Sequence, residues 1–347
     1  MVNIMNKWRM NVGPNEDVVV STRVRLARNI KGIKFPNSFS IDDALEVDKK
    51  VSQSIDLLFP EQYQHFVLKD IKDDANVLME NHLISPEMIK NIDYSAFCLS
   101  HDESVNILIN EEDHIRLQVL KPGQAEEEAF ETAVNIIRKL EEHIDFSYHH
   151  EFGYLTSCPT NTGTGLRASV MMHLPALKYS SNMAGLIDSL GKLGITVRGL
   201  YGENSVSTGD MFQISNQRTL GMPEEEVIFK LRMLVNRIAE NERKYREQFL
   251  AGFKDVFEDK VFRSLGLLKY SRIMPEEEAL SCLSYLRVGI CMGIYKGLNL
   301  QQVTDLFFNV QKNNILRYKK ETSMKGIEDA VRSSYISNYF KEVELNG

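Results

Sequence analysis

Residues 17–29 read DVVVSTRVRLARN, and the period of two in this stretch sets the fold class. Side chains alternate faces along an extended chain, so Val18, Val20, Thr22, Val24 and Leu26 fall on one face. Ser21, Arg23 and Arg25 fall on the other. The first face is core. The second carries two parallel cations about 7 Å apart, from a rise of roughly 3.3 Å per residue. That spacing suits adjacent phosphates of one nucleotide, to which a guanidinium offers a planar fork of donors. A solvated strand face with ion-paired arginines is the alternative that the motif alone leaves open. Arg28 falls on the apolar register and is expected to leave the strand end for solvent.

Outward from this strand the same alternation recurs at 105–109, 115–119, 196–200 and 211–215, with a further short strand at 154–157. Apolar residues at helical spacing mark 41–58, and an acidic-fronted amphipathic helix covers 125–144. Residues 17–120 thus read mainly as strands with one helical interruption, and this half of the chain is α+β. The pattern changes at Met222. Pro223 followed by Glu224, Glu225 and Glu226 is a helix start, because proline suits the first turn and carboxylates complement the positive end of the helix dipole. The string MPEEE recurs at 274–278, and helical segments follow at 281–295, 301–310 and 327–340. A length of 347 residues favours two domains. The expected division is 1–222 and a smaller all-helical 223–347.

The bulk properties exclude several function classes. With 43% hydrophobic and 26% charged residues the chain can bury a sizeable core, and its net charge of −7 disfavours a broad footprint for nucleic acid or anionic lipid. The four cysteines, Cys98, Cys158, Cys282 and Cys291, form no CxxC pair. No stretch matches the apolar core of a signal peptide or the roughly 20 apolar residues of a membrane span. The expected setting is the reducing cytoplasm.

Two further segments carry chemistry. Asn110, Glu111, Glu112 and Asp113 form an acidic turn between two alternating runs, with His114, Arg116 and Gln118 expected on one face beyond it. Such a turn can supply a base beside a phosphate site, or can simply be a polar hairpin tip. Residues 158–169 read CPTNTGTGLRAS and match G-x-G-x-x-A formally, but the surroundings do not alternate strand and helix as a dinucleotide fold requires. Neither a P-loop nor the HRD and DFG elements of ordinary protein kinases occur. What remains is a phosphate-hugging turn whose Arg167 adds a cation. Cys158 is either a structural thiol or a thiol made acidic by neighbouring cations, able to face a guanidinium.

Taken together, STRVRLARNIKG at 21–32, INEEDHIR at 109–116, SCPTNTGTGLRAS at 157–169 and VRGLYGE at 197–203 resemble the guanidino kinases, the phosphagen kinase family, and within it the branch that phosphorylates arginine in proteins. The resemblance covers roughly residues 15–220, with a similar helical region after it. It implies an antiparallel sheet flanked by helices, ATP and Mg²⁺ as cofactors, and Arg23, Arg25, Arg116, Arg167 and Arg198 around the phosphates, with Ser21 and His82 added to the nucleotide set. Glu112 would face the acceptor guanidinium, Cys158 would touch it, and Glu203 would close over it from a loop that Gly199, Gly202 and Gly209 let move. No metal-ligating residue is implied.

The departures bear on substrate. Members acting on small guanidines carry a helical domain before the arginine strand. Here only about 20 residues precede it, and an open acceptor site suits a protein loop. Gln213 and Thr219 stand where those members have aspartate and arginine, and no role is carried over there. Where the protein-acting branch docks phosphoarginine through an Arg-Asp pair, this chain has Glu328 and Asp329. Rival readings are a kinase of free arginine and an adaptor that binds arginine-bearing clients with little catalysis. The resemblance implies protein substrates with exposed arginine, a McsA-type activator, a transcriptional repressor, a Clp chaperone, a stress-response setting and a homodimer. No nucleic acid or membrane partner is expected.

Overall fold

The computed structural model describes residues 7–180, 182–199, 208–319 and 327–346. Ten strands follow in chain order: β1 (Val19–Arg28), β2 (Tyr63–Val67), β3 (Ala96–Ser100), β4 (Val105–Ile109), β5 (Ile115–Pro122), β6 (Tyr148–His149), β7 (Gly153–Tyr154), β8 (Leu166–His173), β9 (Ile195–Gly199) and β10 (Met211–Asn216). All but the small β6-β7 hairpin join one antiparallel sheet of order β2-β3-β4-β5-β1-β8-β10-β9. The arginine strand is central, between β5 and β8. The helices are α1 (Ile41–Leu58), α2 (Ala75–Glu80), α3 (Pro86–Lys90), α4 (Glu126–Glu141), α5 (Pro175–Tyr179), α6 (Met183–Lys192), α7 (Glu224–Tyr270), α8 (Glu276–Cys291), α9 (Leu300–Asn309), α10 (Lys312–Lys319) and α11 (Glu328–Asn346).

One sheet face is largely apolar. Val24, Leu26, Leu117, Val119, Ala168, Val170 and Ile214 are buried there under α1, α4 and the first half of α7, which contribute Val47, Ala133, Ile137, Leu231 and Val235. A fully buried aliphatic side chain contributes about 1.5–3 kcal/mol, so this layer outweighs the surface ion pairs in holding the helices. Among the described residues the other face is covered at two places. Leu68, Leu78, Leu83 and Met88 cap Phe97, Leu99 and Leu108 at the β3-β4 side. Helices α8 and α9 cap Val20 and Met211. Between these caps lies a polar floor.

A bulge between Val19 and Ser21 breaks the alternation of β1. Val20 therefore joins the helical core, while Val18, Val24 and Leu26 stay in the sheet core, so the five residues expected on one face are divided. Arg28 also departs from expectation. It is buried, donates to Thr164 O at 2.9 Å, and lies 3.5 Å from the Tyr154 ring centroid, because the β6-β7 hairpin folds over the strand end. The strand expected at 154–157 is reduced to its first residue, since Leu155 and Ser157 turn away to bond Ser147 O and Asp113. Residues 68–90 hold α2 and α3, helices of six and five residues, too short for a 3.6 period to register. The two PEEE strings behave alike: Pro223 and Pro275 each sit just before a helix, at ψ 146 and 148.

A buried polar seam joins the sheet to α7 and α8. His173 Nε2 lies 2.8 Å from Ser284 Oγ, which donates to Asp210 Oδ2 at 2.6 Å, where Lys178 also binds. Arg287 donates to His173 Nδ1 at 3.2 Å and to the Glu16 and Asp17 carbonyls, and Arg246 bridges Glu242 and His173 O. Nδ1 thus accepts and Nε2 carries the proton. Burial, then Arg287 and Arg246, hold the His173 pKa well below its ordinary value. A histidine depressed in the fold contributes stability that is full above about pH 6.5 and is lost as pH falls below it, because only the unfolded chain takes up the proton. Urea unfolding midpoints should fall between pH 7.5 and 5.5. His173→Gln should flatten that slope by up to about 1.4 kcal/mol per pH unit, and an unchanged slope would count against this assignment.

Candidate active site

Strand register assembles the polar floor. Arg25 on β1 stands opposite Gln118 on β5 and Arg167 on β8, and Arg23 opposite Leu120 and Ser169. Arg116 pairs with Ala27, and Arg198 on β9 with Gln213, itself opposite Met171. Paired residues share a face, so five arginines from four strands stand on the same side of the sheet. Arg23, Arg25 and Arg116 line a cavity of about 500 Å³ together with His82, Glu111 and Gln118. Arg167 and Arg198 extend the floor toward β9. Ser21 sits at the bulge opposite Met171 and outside the lining of this cavity.

The electrostatics of the floor call for an anion. Burial and then the Arg116 and Arg167 charges bring the Arg23 pKa down to about 10. Arg25 is lowered further by burial, then by Arg23, Arg116 and Arg167, with only Glu111 opposing. Arg25 Nε and His82 Nε2 are buried without a hydrogen-bond partner. Burial, then Arg23, Arg9 and Arg25, take His82 to about 3, so its ring is neutral. Crowded guanidinium groups and orphaned ring and guanidine nitrogens fit a polyphosphate chain, whose oxygens accept and whose charge offsets theirs.

The β4-β5 turn separates three carboxylates that are adjacent in sequence. Glu111 is buried and bonds Arg116 Nη1 at 2.6 Å. Burial raises its pKa, but Arg116 and other donors outweigh that and the net shift is downward. Burial works against the Arg116 charge as well, and Glu111, Glu112 and Asp113 outweigh it. Asp113 is also buried, accepting from Asn29 Nδ2 and Ser157 N, each at 2.7 Å. Glu112 alone keeps a part-open carboxylate, 37% exposed, 3.8 Å from Arg116 Nη1. His114 does not join Arg116 and Gln118 on the floor. Its Nδ1 accepts from Ile30 N and its Nε2 donates to Lys34 O, between Phe35 and Phe39.

Asp113 ties the turn to the cysteine loop, and Asn161 completes the link. Asn161 Nδ2 donates to Glu112 Oε2 at 3.1 Å while its backbone N–H bonds Cys158 O at 2.9 Å. Cys158, half-buried, has its Sγ 3.0 Å from Thr160 Oγ1. The glycines here serve close packing rather than a phosphate cradle: a Cβ on Gly163 would meet Thr219 O at 2.5 Å, and one on Gly165 would meet Ala27 O at 2.6 Å. Thr219 holds the loop through the Thr160 and Thr162 carbonyls. Glu203 and Gly202 lie outside the described residues. Asn161 and Asp113 escape a motif reading because their tasks follow from which loops meet.

Among the described residues no group of three or more His, Cys, Asp and Glu side chains could hold a metal. No described helix is long and apolar enough to cross a membrane.

Comparison with known proteins agrees with this geometry. Residues 46–245 match the family model of the ATP:guanido phosphotransferase C-terminal catalytic domain, and residues 254–346 match that of the protein-arginine kinase McsB C-terminal domain. A protein-arginine kinase of Clostridium acetobutylicum is 41% identical over 337 residues, spanning 96% of this chain and 98% of the relative. That of Bacillus subtilis is 38% identical over 351 residues, spanning 99% and 95%. A crystal structure of lombricine kinase superposes with a TM-score of 0.59 at 25% identity, covering 66% of this chain and 67% of that one. With a catalytic-domain match over more than half its length and relatives that align nearly end to end, the chain belongs to the ATP:guanido phosphotransferase family.

Proposed function

We propose that the protein transfers the terminal phosphoryl group of ATP to arginine side chains of other proteins. The observation that carries this reading is a floor of same-sign arginines with one part-open carboxylate, Glu112, beside it. Phosphoryl transfer asks mainly for alignment and charge neutralisation. Arg23, Arg25, Arg116, Arg167 and Arg198 would hold the triphosphate and the charge that spreads over the transferring group. Mg²⁺, arriving with the nucleotide, would neutralise further charge.

The acceptor is the harder half of the reaction. A guanidinium has a pKa above 12 and no free lone pair. As its nitrogen bonds phosphorus and the bond to the ADP oxygen breaks, one proton must leave. In this reading Glu112 would orient the group and take that proton, and the family resemblance adds Cys158 and Glu203 as candidate contacts to it. In the same reading residues 1–222 form the catalytic part and 223–347 the helical part, with the first half of α7 as a strut beneath the sheet. The family resemblance further supports a cytoplasmic stress-response setting with a McsA-type activator, a repressor, a Clp chaperone and a homodimer.

Labelled ATP offered with an arginine-rich protein and, separately, with free arginine tests the acceptor. Label should enter the protein, and mass spectrometry under non-acidic conditions should place it on arginine. Label on free arginine alone would overturn the protein acceptor.

A further inference from the structure

The helical region reaches the arginine cavity at one point. Gln311, between α9 and α10, is 4% exposed and forms part of the cavity wall. Its Nε2 lies 3.5 Å from Phe307 O, at the outer limit of a hydrogen bond, so its amide remains available to a ligand. The backbone around it is fixed. Glu80, also on the wall, accepts from Asn313 N at 3.0 Å and Asn314 N at 2.9 Å, capping α10 just beyond Gln311. Asn81 bonds Asn314, and the His82 ring meets Phe308 edge-on at 5.8 Å.

The cavity wall is chemically mixed. Arg23, Arg25 and Arg116 supply its cations, and the phosphates belong beside them. Met79, Ile84 and Leu108, the last opposite Arg116 in the β4-β5 pairing, add apolar surface suited to the flat face of a base. Gln311 is an uncharged polar group on the same wall. An amide offers one acceptor and one donor side by side, which complements the amino group and ring nitrogen on one edge of adenine. Guanine presents two acceptors on the same edge, and the amide oxygen would face one of them.

We infer that Gln311 selects adenine over guanine in the bound nucleotide, so that base selectivity is supplied by the helical region, with Glu80 as the positioning residue. This rests on the ATP reading above. The test measures affinities of the full chain for ADP, GDP and inorganic tripolyphosphate. Wild type should prefer ADP. Gln311→Ala should bind tripolyphosphate at the wild-type level and lose about tenfold or more of the ADP-over-GDP preference. Gln311→Met, which keeps the length and buried volume, should lose it equally and guards against a folding defect in the first variant. A wild-type preference retained in both variants, or equal affinities for ADP and GDP in the wild type, overturns the inference. Failure of the wild type to bind either ADP or tripolyphosphate would instead overturn the nucleotide reading itself.

Discussion

Glu112→Gln should lower turnover by roughly two to four orders of magnitude while nucleotide affinity stays near that of the wild type. The amide matches the carboxylate in shape and still accepts one hydrogen bond from Asn161. It cannot take a proton from a guanidinium. Glu111 cannot substitute, because Arg116 holds it at 2.6 Å in a buried pair, and Asp113 is engaged by Asn29 and Ser157. The nucleotide floor keeps its arginines, so binding should survive. Rapid-quench turnover beside calorimetric binding separates the two effects. Turnover within a few-fold of wild type would remove Glu112 from the proton's path.

Arg25→Met should act in opposite directions on stability and binding. Arg25 is surrounded by Arg23, Arg116 and Arg167, and burial lowers its pKa before their charges lower it further. Removing that charge relieves repulsion, while methionine keeps most of the apolar volume. The ligand-free protein should therefore melt at the same temperature or higher. ATP affinity should fall roughly ten- to hundredfold, the worth of about 1.5–3 kcal/mol for a hydrogen bond to a charged group. A lower melting temperature with unchanged affinity would mean that Arg25 is structural. Sites that trade stability for function in this way are where an evolved protein carries its strain.

Local patterns carried much of the fold. The bounds of α1 and β4 coincide with the periodicity read at 41–58 and 105–109, because α1 turns one face to the core at helical spacing and β4 is a short, fully buried run between turn residues. β1 was legible except at its bulge, where an extra residue hands Val20 to a different core. Segments too short for a period were not legible, as α2 and α3 illustrate. Motif resemblance marked the five arginines, and register explains why such distant stretches share one face. The division of labour among Glu111, Glu112 and Asp113 was not legible, since it depends on which partner each meets across the fold. Arg28 was misjudged for the same reason: Tyr154 and Thr164, its partners, lie more than a hundred residues away. Gln311 had no local signature at all, because a wall shared between two regions leaves no periodic trace in either.

The Glu80 cap has an evolutionary corollary. Both its carboxylate oxygens are committed to Asn313 and Asn314, so a lineage that alters position 80 loosens the start of α10, and one that reshapes α10 strands a half-buried acid beside the cleft. Drift on either side is thereby constrained by the other. Grafting the helical portion of one relative onto the sheet of another would succeed or fail at this junction before any question of client choice arose.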